Sequence, residues 1–121
     1  MRAVLINDDK SLSLHEVPDP VIKDDELLIK VMASGVNRAD LLQREGNYPS
    51  PAGCPEWMGL EISGTVEKIG PEAAKNSSFK VGDRVCALMG GGGYADFAAV
   101  KYDMALPLPK NFDFAQGACI P

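Results

Sequence analysis

Apolar residues along this chain come in short runs rich in branched side chains, separated by clusters of Gly, Pro, Asp and Asn. That pattern predicts strands joined by turns. "MRAVLIN" (1–7) and "SLSLHEV" (11–17) read as two strands around the turn "DDK", and Pro18 and Pro20 end the second. "PDPVIKDDE" is a loop, and "ELLIKVMASGV" (26–36) is a long strand. "NRADLLQREG" switches to helix, with Asn37 as N-cap, Asp40 three residues on and Gly46 as the stop. "NYPSPAGCPE" has three prolines and reads as an irregular loop.

A strand is expected over 57–70, "WMGLEISGTVEKIG", followed by a polar loop, "PEAAKNSSF". "KVGDRVCALM" turns at Gly82–Asp83 and enters another strand, and "GGGGYADFAAV" becomes a strand from Tyr94. "PLPK" is a turn. "NFDFAQGACIP" starts a helix with Asp113 as N-cap and Gln116 at the third position. About seven short strands and one or two short helices make a mainly β protein, a small, partly open β-barrel. With a helix just begun at the last residues, the 121 residues are expected to be the first part of a longer protein.

Composition narrows the classes. The chain is 45% hydrophobic and 24% charged, an ordinary globular balance sufficient for one core. A formal charge of -5 without a basic cluster argues against a nucleic-acid partner. No apolar run reaches the roughly 20 residues of a membrane helix, and "MRAVLIN" gives way to "DDK" too early for a secretory signal. Cys54, Cys86 and Cys119 are about thirty residues apart with no CxxC pair. Three free thiols in a reducing cytoplasm is the simplest reading. His15 reads as a partly exposed strand histidine.

One position does not fit its surroundings. Glu61 lies among Leu60, Ile62 and Val66 in a stretch otherwise suited to burial. A buried carboxylate is costly unless paired, so Glu61 reads as a structural carboxylate held by a nearby arginine or backbone amides, with a catalytic role as the alternative. Asn37 is either a pure cap or a hydrogen-bonding group for a ligand. Tyr48, in "GNYPSP", offers a flat ring and a hydroxyl, yet a loop tyrosine often serves only surface packing. Gly90–Gly93 is no dinucleotide fingerprint, because a strand and not a helix follows it. It permits a tight loop or a close backbone approach to a ligand. Asp40 and Arg44, four apart on the helix, read as a stabilising pair.

Taken in order, "ASGVNRADLLQREGNYP", "GLEISGTVEKIG", "VGDRVCAL", "GGGGYADFAAV" and "LPLPKNFDFAQGACIP" resemble the N-terminal half of the medium-chain dehydrogenase/reductase superfamily. The similarity covers essentially the whole chain. It is strongest to the zinc-free quinone oxidoreductase branch, and "NRADLLQREGNY" looks most like its tumour-suppressor-inducible members. The resemblance implies a GroES-like catalytic domain over 1–112, and over 113–121 the start of the helix leading to a Rossmann cofactor domain. It implies NADPH as hydride donor, a quinone or other conjugated carbonyl as acceptor, and a homodimeric full-length enzyme. It also tips Asn37 and Tyr48 toward contact with cofactor and substrate. Zinc-dependent relatives carry Gly-His-Glu where this chain has Gly59-Leu60-Glu61, and a zinc-binding cysteine at the place of Asn37. Leucine and an amide cannot replace imidazole and thiolate as zinc ligands, and "ALMGGGG" stands where a four-cysteine lobe is expected. No metal is expected on either count. An enoyl or alkenal reductase of the same superfamily is the alternative, and a non-enzymatic GroES-like module is a more distant one.

Overall fold

The computed structural model describes residues 1–121. β1 (Arg2–Ile6) and β2 (Leu12–Glu16) form an antiparallel hairpin. The remaining strands are β3 (Glu26–Ser34), β4 (Glu61–Ile69), β5 (Arg84–Leu88), β6 (Phe97–Lys101) and β7 (Ala105–Pro107), which make one antiparallel sheet in the order β6-β3-β4-β5-β7. The helices are α1 (Arg38–Arg44), α2 (Pro71–Asn76) and α3 (Phe114–Gly117). The sheet does not close into a barrel, since β6 and β7 remain its two edges. The protein is mainly β, with three short helices rather than one or two.

The core follows the period-2 rule of strands. Leu27 and Ile29 point inward from β3 and meet Val100 and Ala98 on β6. Ile29 also faces Val66 on β4, and Ile62 faces Ala87, which in turn faces Ala105 on β7. Each large side chain fully buried here contributes roughly 1.5–3 kcal/mol. The hairpin is tied on by an isolated bridge from Ala3 to Ala95 and by Val4 N–H donating to the Tyr94 carbonyl at 2.9 Å.

Several boundaries differ from the sequence pattern. "PEAAKNSSF" is not all loop, because α2 occupies 71–76. Pro71 starts it, Glu72 and Lys75 match the helix dipole, and Ala73 is buried. β3 ends at Ser34, short of Val36. β4 begins at Glu61, not Trp57. β6 begins at Phe97, not Tyr94. Residues 57–59 and 92–94 instead run side by side: Gly92, Gly93 and Tyr94 N–H groups donate to the carbonyls of Trp57, Gly59 and Met58 at 2.8, 3.0 and 2.9 Å. β7 is an additional strand that takes in Pro107, the first residue of the expected turn. α3 has the expected cap, with Asp113 Oδ1 accepting from Gln116 N–H at 2.7 Å.

Candidate active site around the first helix

α1 is turned inside out relative to an ordinary amphipathic helix. Its buried residues are Asp40 and Gln43, whereas Leu41 is 51% exposed and Leu42 is also exposed. Polar groups are stable in that position only if they are hydrogen-bonded. Gln43 Nε2 donates to Ser50 Oγ and to the Glu56 carbonyl, both at 3.0 Å, and so pins the proline-rich loop to the helix.

The N-terminal end of α1 is the centre of a polar network. Asp40, 4% exposed, accepts the Asn37 backbone N–H at 2.9 Å and the Tyr94 hydroxyl at 2.6 Å, both on Oδ2. The same hydroxyl lies 2.9 Å from the Gly35 carbonyl. Asn37 keeps extended backbone angles at the cap position and forms a capping box with Asp40. Asn37 Nδ2 donates to Glu61 Oε1 at 3.0 Å. That contact accounts for the carboxylate in the apolar stretch. Glu61 is 8% exposed, and its partner is an amide rather than the expected arginine or backbone N–H groups. The expected Asp40–Arg44 pair is also absent, because Tyr94 and the cap draw Asp40 inward while Arg44 Nη2 reaches Glu45 Oε1 at 3.2 Å. Burial first, then the hydrogen bond to Asp40 and the negative charge of Asp40 and Glu61, push the Tyr94 phenol pKa above its ordinary 10.0.

Asn37 is exposed at this end of the helix, and one of its Nδ2 hydrogens is not engaged within the protein. Tyr48 lies beyond the other end. α1 has seven residues, so the two positions are separated by a helix about 10 Å long. Tyr48 is 38% exposed and its hydroxyl has no partner in the fold. The network therefore contains Asn37 and does not contain Tyr48.

A cleft of about 510 Å³ lies elsewhere. Gly90–Gly92, Cys54, Trp57 and β6 line it, and neither Asn37 nor Tyr48 does. The glycine run borders this cleft while being stitched to 57–59. Gly59 has φ +110, and a Cβ there would stand 2.5 Å from the Tyr94 nitrogen. Gly59 and, across from it, Gly93 are thus needed for one backbone to approach the other.

The sequence pattern missed Tyr94 and Gly35 as parts of the site. Tyr94 is distant in the chain and looks like a strand residue. The available signal was Asp40 at the third helical position, a residue type that back-bonds to a cap. No group of three His, Cys, Asp or Glu side chains converges on a possible metal position. No helix is long and apolar enough to cross a membrane.

An antiparallel β fold with its polar centre at the start of a short helix defines a class, and comparison with known proteins identifies it. The chain belongs to the alcohol dehydrogenase GroES-like domain family, whose profile matches residues 23–110. It is 42% identical over 106 residues to a quinone oxidoreductase of Sus scrofa, a match covering 87% of this chain and 31% of that protein. The human synaptic vesicle membrane protein VAT-1 homolog-like protein superposes over 100% of this chain and 39% of its own, with TM-score 0.88 and 31% identity. The quinone oxidoreductase of Thermus thermophilus, solved alone and with NADPH, has TM-score 0.77 and 32% identity, over 100% of this chain and 37% of that one. The chain therefore spans about a third of the length of these relatives.

Proposed function

We propose that the chain is the N-terminal catalytic portion, domain 1–112 with 113–121 leading onward, of a zinc-independent NADPH:quinone oxidoreductase. The observation that carries this reading is the exposed Asn37 amide, fixed on one side by Glu61 and free on the other. The nicotinamide–ribose end of a dinucleotide calls for neutral hydrogen-bonding groups and a flat surface beside them. Asn37 and the unengaged Tyr48 phenol fit that demand, and the phosphate-bearing part belongs to a domain outside these residues. Bound NADPH supplies the hydride.

The role of this chain is to hold and polarise the acceptor. A quinone that receives hydride develops negative charge on oxygen, and a neutral N–H or O–H aimed at that oxygen stabilises it without having to reorganise. Asn37 contributes an N–H whose direction is already set, and Tyr48 contributes a phenol and a wall. A proton from water completes the hydroquinone. Leu60 and Asn37 at the positions of two metal ligands support a mechanism without zinc. The three unpaired cysteines fit a cytoplasmic enzyme, and by family likeness it works as a homodimer.

The test is NADPH oxidation by the purified full-length protein with ortho- and para-quinones and with α,β-unsaturated aldehydes, alongside metal analysis. Faster turnover of quinones with substoichiometric zinc is expected. Preference for the aldehydes would reassign it to the alkenal reductases. One zinc per chain would overturn the metal-free reading.

A further inference from the structure

We propose that Glu61 is a positioning residue that sets which way the Asn37 amide faces, and thereby gives the site a hydrogen-bond donor of fixed direction. The proposal rests on the role of Asn37 in the reading above and adds a residue to it. An asparagine amide can be turned over with no change of shape, exchanging its N–H₂ donor for its carbonyl acceptor. Nothing steric chooses between the two orientations; a hydrogen-bonding neighbour must. An ionised carboxylate accepts and never donates. Glu61 Oε1, 3.0 Å from Asn37 Nδ2, therefore admits only the orientation in which nitrogen faces it.

The surroundings hold Glu61 to this task. It takes part in none of the ion pairs of the chain, so no cation competes for it. Its backbone carbonyl accepts the Gly35 N–H at 3.0 Å. Its carboxylate fills the space where a side chain on residue 35 would begin, so only glycine leaves room for it. The Tyr94 hydroxyl is turned to Asp40 and the Gly35 carbonyl. Glu61 Oε2 is not a sealed, unpartnered atom, which makes a charged carboxylate tolerable at 8% exposure. The second Nδ2 hydrogen of Asn37 is left pointing away from Glu61, on the exposed side of the residue.

A charge-swap series separates positioning from packing. Glu61→Gln keeps the shape but can either accept from or donate to Asn37, so both amide orientations become available. Asn37→Asp sets two carboxylates against each other. The double variant Asn37→Asp/Glu61→Gln restores one hydrogen bond with its polarity reversed, leaving the site acceptors and no donor. In the full-length protein, Glu61→Gln is expected to lower quinone kcat about tenfold with KM changed less than about threefold, an effect on the order of the 1.4 kcal/mol that a tenfold rate factor represents. The double variant is expected to recover the melting temperature lost in Asn37→Asp without recovering kcat. A purely structural role predicts that kcat returns together with stability, and that result would overturn the proposal.

The side-chain ¹H–¹⁵N resonances of Asn37 in the unmodified protein supply a readout that needs no variant to fold. One proton shifted downfield and protected from exchange, the other not, is expected. Two protons at the ordinary shifts of a free asparagine amide, both exchanging rapidly with water, would overturn the proposal. If the unmodified protein reduces no quinone while one Asn37 proton is shifted downfield and protected, the functional reading fails and the positioning by Glu61 stands.

Discussion

Replacing Tyr94 by phenylalanine removes one oxygen and leaves the ring in place. The single phenolic hydrogen faces two acceptors, Asp40 Oδ2 at 2.6 Å and the Gly35 carbonyl at 2.9 Å. One hydrogen cannot serve both fully, so the charge-assisted bond to Asp40 dominates and the second adds little. A hydrogen bond to a charged group is worth about 1.5–3 kcal/mol. Asp40 would retain the Asn37 N–H on Oδ2, while its Oδ1 already has no partner. Relief of the buried hydroxyl offsets part of the loss, so a net destabilisation of about 2 kcal/mol is expected. For a domain of this length that corresponds to a fall in Tm of roughly 8 °C. The single tryptophan, Trp57, makes urea unfolding followed by fluorescence a convenient assay.

The pH dependence supplies an independent check with a definite sign. The phenol pKa is raised in the folded protein, chiefly by burial and then by Asp40. An unfolded tyrosine ionises near pH 10, at about its reference value. Between that value and the higher folded one, the unfolded state loses the proton and the folded state keeps it, so the stabilisation due to Tyr94 declines as pH rises. The stability gap between the native protein and Tyr94→Phe should therefore be constant below about pH 9 and shrink above pH 10. A gap under about 0.5 kcal/mol at pH 7, or one that widens in alkali, would refute the bond to Asp40 as the main contribution of this hydroxyl.

Other substitutions probe the same region. Gly59→Ala combines a left-handed backbone with a Cβ 2.5 Å from the Tyr94 nitrogen, and a loss on the order of 3 kcal/mol is expected in chemical denaturation. Gly35→Ala drives a methyl group into the Glu61 carboxylate; Glu61 is expected to move, and the Asn37 side-chain resonances should then resemble those of Glu61→Gln. Tyr48→Phe, which removes a hydroxyl with no partner in the fold, is expected to leave stability within about 0.5 kcal/mol and to lower quinone turnover about tenfold. Tyr48→Ala should lower turnover further; if Phe is neutral and Ala inactive, the residue is a wall and not a donor.

Much of the secondary structure is legible in the sequence because its causes are local. The branched runs of β3 and β5, the cap at Asn37, the Gly46 stop and the Asp113–Gln116 box each depend on residues within a few positions. α2 carried local signals as well, a leading proline and matched end charges, but at six residues it is too short for periodicity to separate it from a polar loop. The hairpin shows a firmer limit. Alternation in "LSLHEV" marks a strand, yet Leu12 and Leu14 lie on the exposed side of it, since a period of two gives two faces without saying which is buried.

Glu61 and α1 mark the same limit at the site. The sequence shows that a carboxylate in an apolar strand must have a partner, because the desolvation cost is a property of the group itself. It cannot name the partner. Asn37 lies 24 positions away and Tyr94 lies 54 from Asp40, and only the pairing of β3 with β4 and the seam between 57–59 and 92–94 bring them together. That assembly also inverts α1, burying Asp40 and Gln43 and leaving Leu41 outside. Helical periodicity can say which residues share a face. Which face turns inward is decided by the hydrogen-bonding groups that the rest of the fold presents to it.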